Sequence, residues 1–224
     1  MRGEYYQTRL AAERLKQVYE TAPPRIRQYL QAEIDHVLRH VRPDYDVLEL
    51  GCGYGRALAP LAARAGAAYG IDTSEASLHL AASASTKLAP LRLARMDAAR
   101  LAFADRAFDL VVCLQNGISA FGIDHHRLLR ESLRVTRPGG LILFSTYSER
   151  FWEPRLKWFE QQAEQGLLGP IDYAKTGHGR IVCTDGFTAT TVTPRQFRDL
   201  ARDLALTSDL VEIDHSSLFC HLYP

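Results

Sequence analysis

Apolar residues at Ile26, Tyr29, Leu30, Ile34, Val37 and Leu38 recur three and four apart, which places them on one face of a helix. Leu10, Arg14, Leu15 and Val18 outline a shorter amphipathic segment before it. Pro23 and Pro24 separate the two, with proline at the start of the second helix. Residues 1–41 therefore read as a helical cap. From residue 45 the texture changes. Short apolar runs at 45–50, 67–71, 91–95, 108–114 and 141–146 alternate with helical stretches at 56–64, 74–87 and 124–135, the last stopping before the turn RPGG. Strands that are apolar on both faces and alternate with helices predict an α/β fold with a parallel sheet covered on both sides. Right-handed crossovers make that sheet doubly wound.

Beyond residue 147 the pattern loosens. Residues 152–165 predict a helix. Residues 180–183 and 188–192 flank TDGF, and Asp-Gly between apolar runs is a hairpin signal. Thr193-Pro194 reads as the N-cap and first turn of a helix reaching about residue 205. Residues 210–213 and 218–222, split by HSS, predict a closing antiparallel pair. The expected organisation is a single domain over 1–224. It comprises a cap at 1–41, a core at 44–147, an insertion or lid at 148–192, and a closing helix and strand pair at 193–224.

Composition changes this picture little. A chain of 224 residues is long enough to bury a core. Its net charge of +1, with arginines interleaved among acids, speaks against a polyanion partner, so nucleic acid is not expected. No run of about 18 apolar residues stands out, and MRGEYYQTRL lacks the apolar centre of a signal peptide. The cysteines at 52, 113, 183 and 220 form no CxxC pair. They read as reduced thiols of a cytoplasmic protein, with neither a disulfide frame nor a metal site.

The candidate chemistry begins at VLELGCGYGR, residues 47–56, where a predicted strand runs into glycines 51, 53 and 55. In an open parallel sheet, ligands bind beyond the carboxyl ends of the strands, where strand order reverses. Gly51 and Gly53 would let backbone approach a ligand, and a following helix would add free N–H groups. A dinucleotide requires a third small residue at the position held here by Arg56. S-adenosylmethionine carries a sulfonium, an ammonium and a carboxylate but no phosphate. Glu49, two residues before the first glycine, would repel a pyrophosphate and favour the cationic methionine moiety. The ligand's own carboxylate can use backbone N–H groups at the turn around Cys52. YGID ends the next strand in Asp72, which either accepts two ribose hydroxyls or caps the helix that follows Thr73. In ARMDAARLAF, Asp97 suits an adenine amino group, with Met96 and Ala98 lining the ring. CLQNGISAF places Leu114 and Gln115 beneath the sulfonium and Asn116 toward the substrate, and Gly117 allows a sharp exit.

Together ELGCGYG, GIDTS, MDA, FDLVVCLQN and LRVTRPGGLILFSTY resemble, in order and spacing, the motifs of class I S-adenosylmethionine-dependent methyltransferases. The resemblance covers about residues 44–147 well and the last thirty loosely. It implies a Rossmann-like seven-stranded sheet with an antiparallel last strand, and S-adenosyl-L-methionine as cofactor. It assigns 49–53 to the methionine moiety, Asp72 to ribose and Asp97 to adenine, with a structural role for Asp109. In many small-molecule methyltransferases an N-terminal segment closes over the cofactor. Tyr5 and Tyr6 are the candidates here, with Arg14 and Tyr19 behind them.

The resemblance implies methyl transfer to an O, N or S nucleophile of a small molecule by in-line displacement. A non-catalytic S-adenosylmethionine-binding subunit is the alternative, and an NAD-dependent oxidoreductase a weaker one. The Asn/Asp-Pro-Pro-Tyr run typical of amide or adenine-amine methylation is absent, since Gln115-Asn116-Gly117-Ile118 takes its place. Candidate acceptor-side residues are Asn116, Phe121, His125, Trp152, Trp158, His178 and Phe187, with His125, His178 and Asn116 as possible catalytic groups. The oligomeric state stays open.

Overall fold

The computed structural model describes residue 5 and residues 9–84 and 91–224. Two helices open the chain: α1 (Ala12–Glu20) and α2 (Pro24–Leu38), the latter with Pro24 in its first turn. The core then runs β1 (Asp46–Leu50), α3 (Leu58–Ala62), β2 (Ala67–Asp72), α4 (Glu75–Ala84), β3 (Leu91–Arg95), β4 (Phe108–Cys113), α5 (Gly117–Ala120), α6 (His125–Val135) and β5 (Thr136–Tyr147). After it come α7 (Trp152–Glu164), the hairpin β6 (Ile181–Val182) and β7 (Thr188–Ala189), α8 (Pro194–Asp203), β8 (Thr207–Ile213) and β9 (Ser217–Tyr223).

The main sheet has seven strands in the order β3-β2-β1-β4-β5-β9-β8. Neighbours from β3 through β5 pair in parallel, and β9 lies antiparallel between β5 and β8. This is the doubly wound, Rossmann-like sheet expected, with one antiparallel strand. Strand order reverses between β1 and β4, so the crevice lies where Leu50 and Cys113 leave the sheet.

Both faces of the central strands β1, β4 and β5 are largely buried, which is why they read as near-continuous apolar runs, while the edge strands β3 and β8 are part exposed. On one face Val47, Leu110, Val112, Leu143 and Phe219 pack under Ile34 and Val37 of α2. On the other, Leu48, Val111, Phe144 and Cys220 meet Leu128 of α6 and Phe197 of α8. A third cluster sits over the carboxyl edge, where Val18 of α1 and Ile26 and Tyr29 of α2 join Trp158 and Phe159 of α7 and Phe187 of the hairpin. Asp109, far from that edge, accepts from the Asp46 N–H at 2.8 Å and pairs with Arg137, a purely structural tie.

Several elements differ from the sequence expectation. The helix expected over 56–64 is only Leu58–Ala62, because Gly51, Gly53 and Gly55 all take positive φ and stretch the turn before it. RPGG is not a turn but the start of β5, where Phe108 pairs with Thr136 before a register shift. The helix expected over 74–87 is described as far as Ala84, and its end lies outside the described residues. Thr193 and Gln196 form a reciprocal capping box at the head of α8, as the Thr-Pro signal indicated.

Candidate active site

Parallel strands deliver their carboxyl ends to one edge, and four of these ends line one cavity of about 330 Å³. Gly51 and Gly53 follow β1, Asp72 ends β2 with Thr73 behind it, Met96, Asp97 and Ala98 follow β3, and Leu114 and Gln115 follow β4. Gly51 has φ +71°, and a Cβ there would lie 2.5 Å from the ring of Phe121. Any side chain at 51 would therefore clash with the wall and strain the backbone at once.

The first two strand ends are tied together. Asp72 Oδ2 accepts from the Gly53 N–H at 2.9 Å, and Oδ1 accepts from the Ser74 N–H at 2.8 Å. Each oxygen keeps a second lone pair for a ribose hydroxyl, so Asp72 shapes the turn as well as facing the cavity. Asp97 Oδ1 accepts from the Ala99 N–H at 2.8 Å, and Met96 Sδ accepts from the Ala102 N–H at 3.2 Å. Both bonds brace the loop that leaves β3 at the cavity edge.

Glu49 is 4% exposed, and its Oε2 is buried without a hydrogen-bond partner. Burial pushes its pKa up to about 8; Arg56 pulls against this and Asp72 adds to it. Arg56 stacks its guanidinium 5.1 Å from the Tyr19 ring, and its Nε and Nη2 are likewise buried without hydrogen-bond partners. Glu49, Cys52 and Arg56 line a small annex beside the glycine turn, with Gly51, Gly53 and Gln115 shared between annex and cavity. An unmatched carboxylate and an unmatched guanidinium at one turn suit a ligand bearing both an ammonium and a carboxylate. No helix end supplies a cradle here, because α3 is a single short turn that begins only at Leu58, and the N–H groups of Cys52, Gly53 and Gly55 already donate to Ile71, Asp72 and Cys52. The residues present therefore fit the methionine end of S-adenosylmethionine. Cys52 is buried, and burial raises its thiol pKa, so it is an inert wall residue.

The exit from β4 is held in an unusual conformation. Gln115 and Asn116 both take positive φ, at 53° and 62°. Two consecutive non-glycine residues in that region persist only where surroundings fix them. Glu33 of α2 does so, accepting the Gln115 N–H at 3.0 Å while its other oxygen takes the Ser217 hydroxyl. Asn116 supplies the rest: its amide donates to the Thr190 carbonyl at 2.7 Å and its oxygen accepts from Thr146 at 2.7 Å. Asn116 is thus a tie between β4, β5 and the hairpin strand's exit. Its side chain is spent on protein and does not line the cavity, contrary to the cofactor-binding and catalytic roles expected for it.

The acceptor side also differs from expectation. Phe121, Trp158 and Phe187 line the cavity, whereas Trp152 does not. His125 and His178 line a separate, open cleft with Arg180 and Gln196, so neither reaches the strand-end site as a base. Tyr5 donates to Asp185 at 2.6 Å and packs edge-on against Phe187 at 5.0 Å. It clamps the TDGF turn from outside and does not line the cavity, and Tyr6 lies outside the described residues. Arg14 donates to the Gly166 carbonyl at 2.8 Å. The N-terminal wall comes instead from Leu10, Leu15, Val18 and Tyr19.

Sequence reasoning missed Glu33 and Gln162. Glu33 stands in the apolar stripe of α2, three residues after Leu30 and four before Val37, and that misfit position was the available signal. Gln162 and Trp158, one turn apart on α7, are 3% and 4% exposed; Gln162 Nε2 and Trp158 Nε1 are buried donors without hydrogen-bond partners, and both residues line the cavity.

Residues 47–140 match the model of the methyltransferase domain family. A 2-methyl-6-phytyl-1,4-hydroquinone methyltransferase of Synechocystis is 29% identical over 148 residues, covering 58% of this chain and 46% of its own length. A demethylmenaquinone methyltransferase of Beutenbergia cavernae is 34% identical over 119 residues, covering 50% and 45%. The chain thus spans just under half the length of the curated relatives it matches. The crystal structure of the PH0226 protein of Pyrococcus horikoshii superposes with a TM-score of 0.69 at 20% identity, covering 99% of this chain and 98% of that one. The doubly wound sheet, the strand-end cavity and the match over residues 47–140 agree with the class I methyltransferase motifs read from the sequence, a class whose cofactor is S-adenosylmethionine. Among the described residues no helix is long and apolar enough to cross a membrane.

Proposed function

We propose that this chain transfers the methyl group of S-adenosylmethionine to a small, largely apolar acceptor that carries an oxygen function. One observation carries the reading. The strand-end turns and an aromatic wall of Tyr147, Trp158, Phe159 and Phe187 enclose the same cavity, so cofactor and acceptor would meet without water between them. Bound there, the cofactor supplies an activated sulfonium leaving group. The protein's part is alignment, exclusion of water and stabilisation of charge.

The acceptor's chemistry is argued from the two orphan donors. A buried N–H without a partner costs free energy that a ligand oxygen recovers. Trp158 and Gln162 line the wall and hold such donors buried just behind its surface, which favours a carbonyl, phenol or phenolate on a flat ring. The two relatives named for a hydroquinone and a demethylmenaquinone fit that class. No histidine lines the cavity among the described residues. An acceptor whose oxygen ionises with the help of these donors would need no strong base.

The test is a titration with S-adenosylmethionine, S-adenosylhomocysteine and NADH, followed by transfer of labelled methyl to panels of phenols and quinols, amines, and thiols. The expected result is saturable binding of the first two ligands alone and label on the oxygen-bearing rings. Binding without transfer to any panel would overturn the enzymatic reading and leave a cofactor-holding subunit. Silence toward both adenosyl ligands would overturn the cofactor reading itself.

A further inference from the structure

On the sheet face covered by α2, three histidines meet. His36 lies in the last turn of α2, His40 follows four residues later, and His221 projects from β9. Their ring centroids stand 5.1 Å (36–40), 5.0 Å (36–221) and 5.1 Å (40–221) apart, nearly an equilateral triangle. One nitrogen from each lies within 4.8 Å of the other two, and among the described residues this is the single group of histidine, cysteine or carboxylate ligands so disposed. His36 and His221 are 4% and 5% exposed, while His40 is half-buried at the rim.

We propose that His36, His40 and His221 form a binding site for a divalent transition metal of the zinc class, clamping α2 to the antiparallel strand β9. The ligand set supports this assignment. Three neutral imidazoles with a fourth position open to water is an established zinc arrangement, and imidazole also suits cobalt, nickel and copper. Bonds of about 2.0–2.1 Å at tetrahedral angles put ligand nitrogens roughly 3.3 Å apart. His36 Nε2 and His221 Nε2 are already 2.9 Å apart, sharing one proton as a hydrogen bond. Release of that proton from Nε2, with Nδ1 of the same ring taking one up so that the imidazole stays neutral, and opening by a few tenths of an ångström convert the pair into ligands, with the half-buried His40 closing the triangle. Burial disfavours the imidazolium at all three positions, so they are held in the form that ligates.

Two charged neighbours tune the site. Asp209 sits opposite His221 across the β8–β9 pair, and its negative charge favours a cation there. Arg39 opposes it, with Nη2 3.0 Å from His36 Nδ1. When Nε2 of His36 holds a metal, Nδ1 carries the proton and has no use for a donor. Arg39 is exposed and free to swing into solvent, so metal binding should displace it. The site is distinct from the methyltransferase cavity, which none of the three histidines lines. It is joined to that cavity through α2, because Glu33, one turn before His36, fixes Gln115 at the cavity wall. The clamp would therefore stabilise the helix that holds the wall.

The test uses untagged, chelator-treated protein titrated with Co2+ and then with Zn2+. We expect one Co2+ per chain with the visible bands of a four-coordinate ion, displacement of Co2+ by Zn2+, and a higher melting temperature with Zn2+. His40→Asn, at the half-buried position, should keep the fold by circular dichroism and weaken binding more than about 100-fold, beyond the loss typical of outer-sphere changes. Arg39→Gln should tighten binding. A Co2+ spectrum indistinguishable from the aqueous ion would overturn the proposal. So would a stoichiometric site that His40→Asn leaves unchanged, since the metal would then sit elsewhere.

Discussion

Glu49 is a carboxylate that the free protein keeps protonated to an unusual pH, because burial holds its pKa up to about 8. The unfolded chain would ionise it near the ordinary glutamate value of about 4.3. Between those values the folded state holds a proton that the unfolded state has released, so Glu49 makes the free protein less stable as pH rises through that window. A cationic ligand prefers the carboxylate and reverses the balance. S-adenosylmethionine affinity should therefore rise with pH, approaching about tenfold per unit well below 8, and level off above it. Calorimetry in buffers of different ionisation heat should show a proton released on binding, and Glu49→Gln should remove both effects. At Asp72 the expectation is simpler. Asp72→Ala removes the proposed ribose acceptor and the brace on Gly53, and should weaken S-adenosylmethionine by roughly 1–3 kcal/mol; an unchanged dissociation constant would refute its role. Trp158→Phe and Gln162→Leu separate acceptor from cofactor. Gln162→Leu removes a buried donor without a hydrogen-bond partner, so the free protein should be no less stable by thermal melting, whereas Trp158→Phe removes one but also leaves a gap in the packed wall and should melt somewhat lower. Each should leave S-adenosylmethionine binding intact and cost about 0.5–1.5 kcal/mol in kcat/KM for the acceptor.

At the scale of elements, α2 does two jobs with one face. Ile34 and Val37 seal the sheet, while Glu33 in the same stripe reaches the exit of β4 and the start of β9. Glu33→Ala would leave the Gln115 N–H buried without its acceptor, at about 1–3 kcal/mol, while the Ser217 hydroxyl keeps the Thr146 carbonyl 3.3 Å away. Glu33→Gln can still accept from Gln115 and donate to Ser217, so it should be far milder. Urea unfolding of both variants checks the stability order, and the alanine variant should also bind S-adenosylmethionine more weakly, because Gln115 lines the cavity. This element shows what the sequence made legible. Local period revealed the helix, its proline start and its buried stripe, since those depend on residues three and four apart. The partner of Glu33 was not legible, because Gln115 lies 82 residues away. The same divide runs through the core. The five parallel strands announced themselves as apolar runs, and Gly51, Gly53, Asp72 and Asp97 fell at the cavity edge because parallel strands share one edge. The early start of β5 was hidden, because Arg137-Pro138-Gly139-Gly140 carries turn chemistry and joins the sheet only through pairing with β4.

On the scale of the molecule, the cofactor half and the acceptor half of the cavity have different origins. The strand-end half is built from turns whose position follows from sheet topology, which is why short motifs at the ends of β1 to β4 pointed to it. The acceptor half is assembled from Leu15 and Tyr19 of α1, Phe121 after β4, Trp158 and Gln162 of α7, and Phe187 of the hairpin. No spacing rule connects these segments, and the histidines chosen by residue type turned toward another cleft. The difference also has a dynamic consequence. α1 packs across the mouth of the site through a few apolar side chains, and Arg14 and Tyr5 tie its surroundings to Gly166 and Asp185 at the surface. Surface ties of this kind are worth little individually, so α1 is the part of the enclosure that can open at least cost. Ligand entry past α1 predicts a specific pattern of amide exchange. S-adenosylhomocysteine should slow exchange across Ala12–Glu20 and around 114–117, and leave Pro194–Asp203 and Thr207–Ile213 unchanged. Protection confined to 114–117 would instead make α1 a fixed wall, and the entry path would then have to run past the hairpin that carries Phe187.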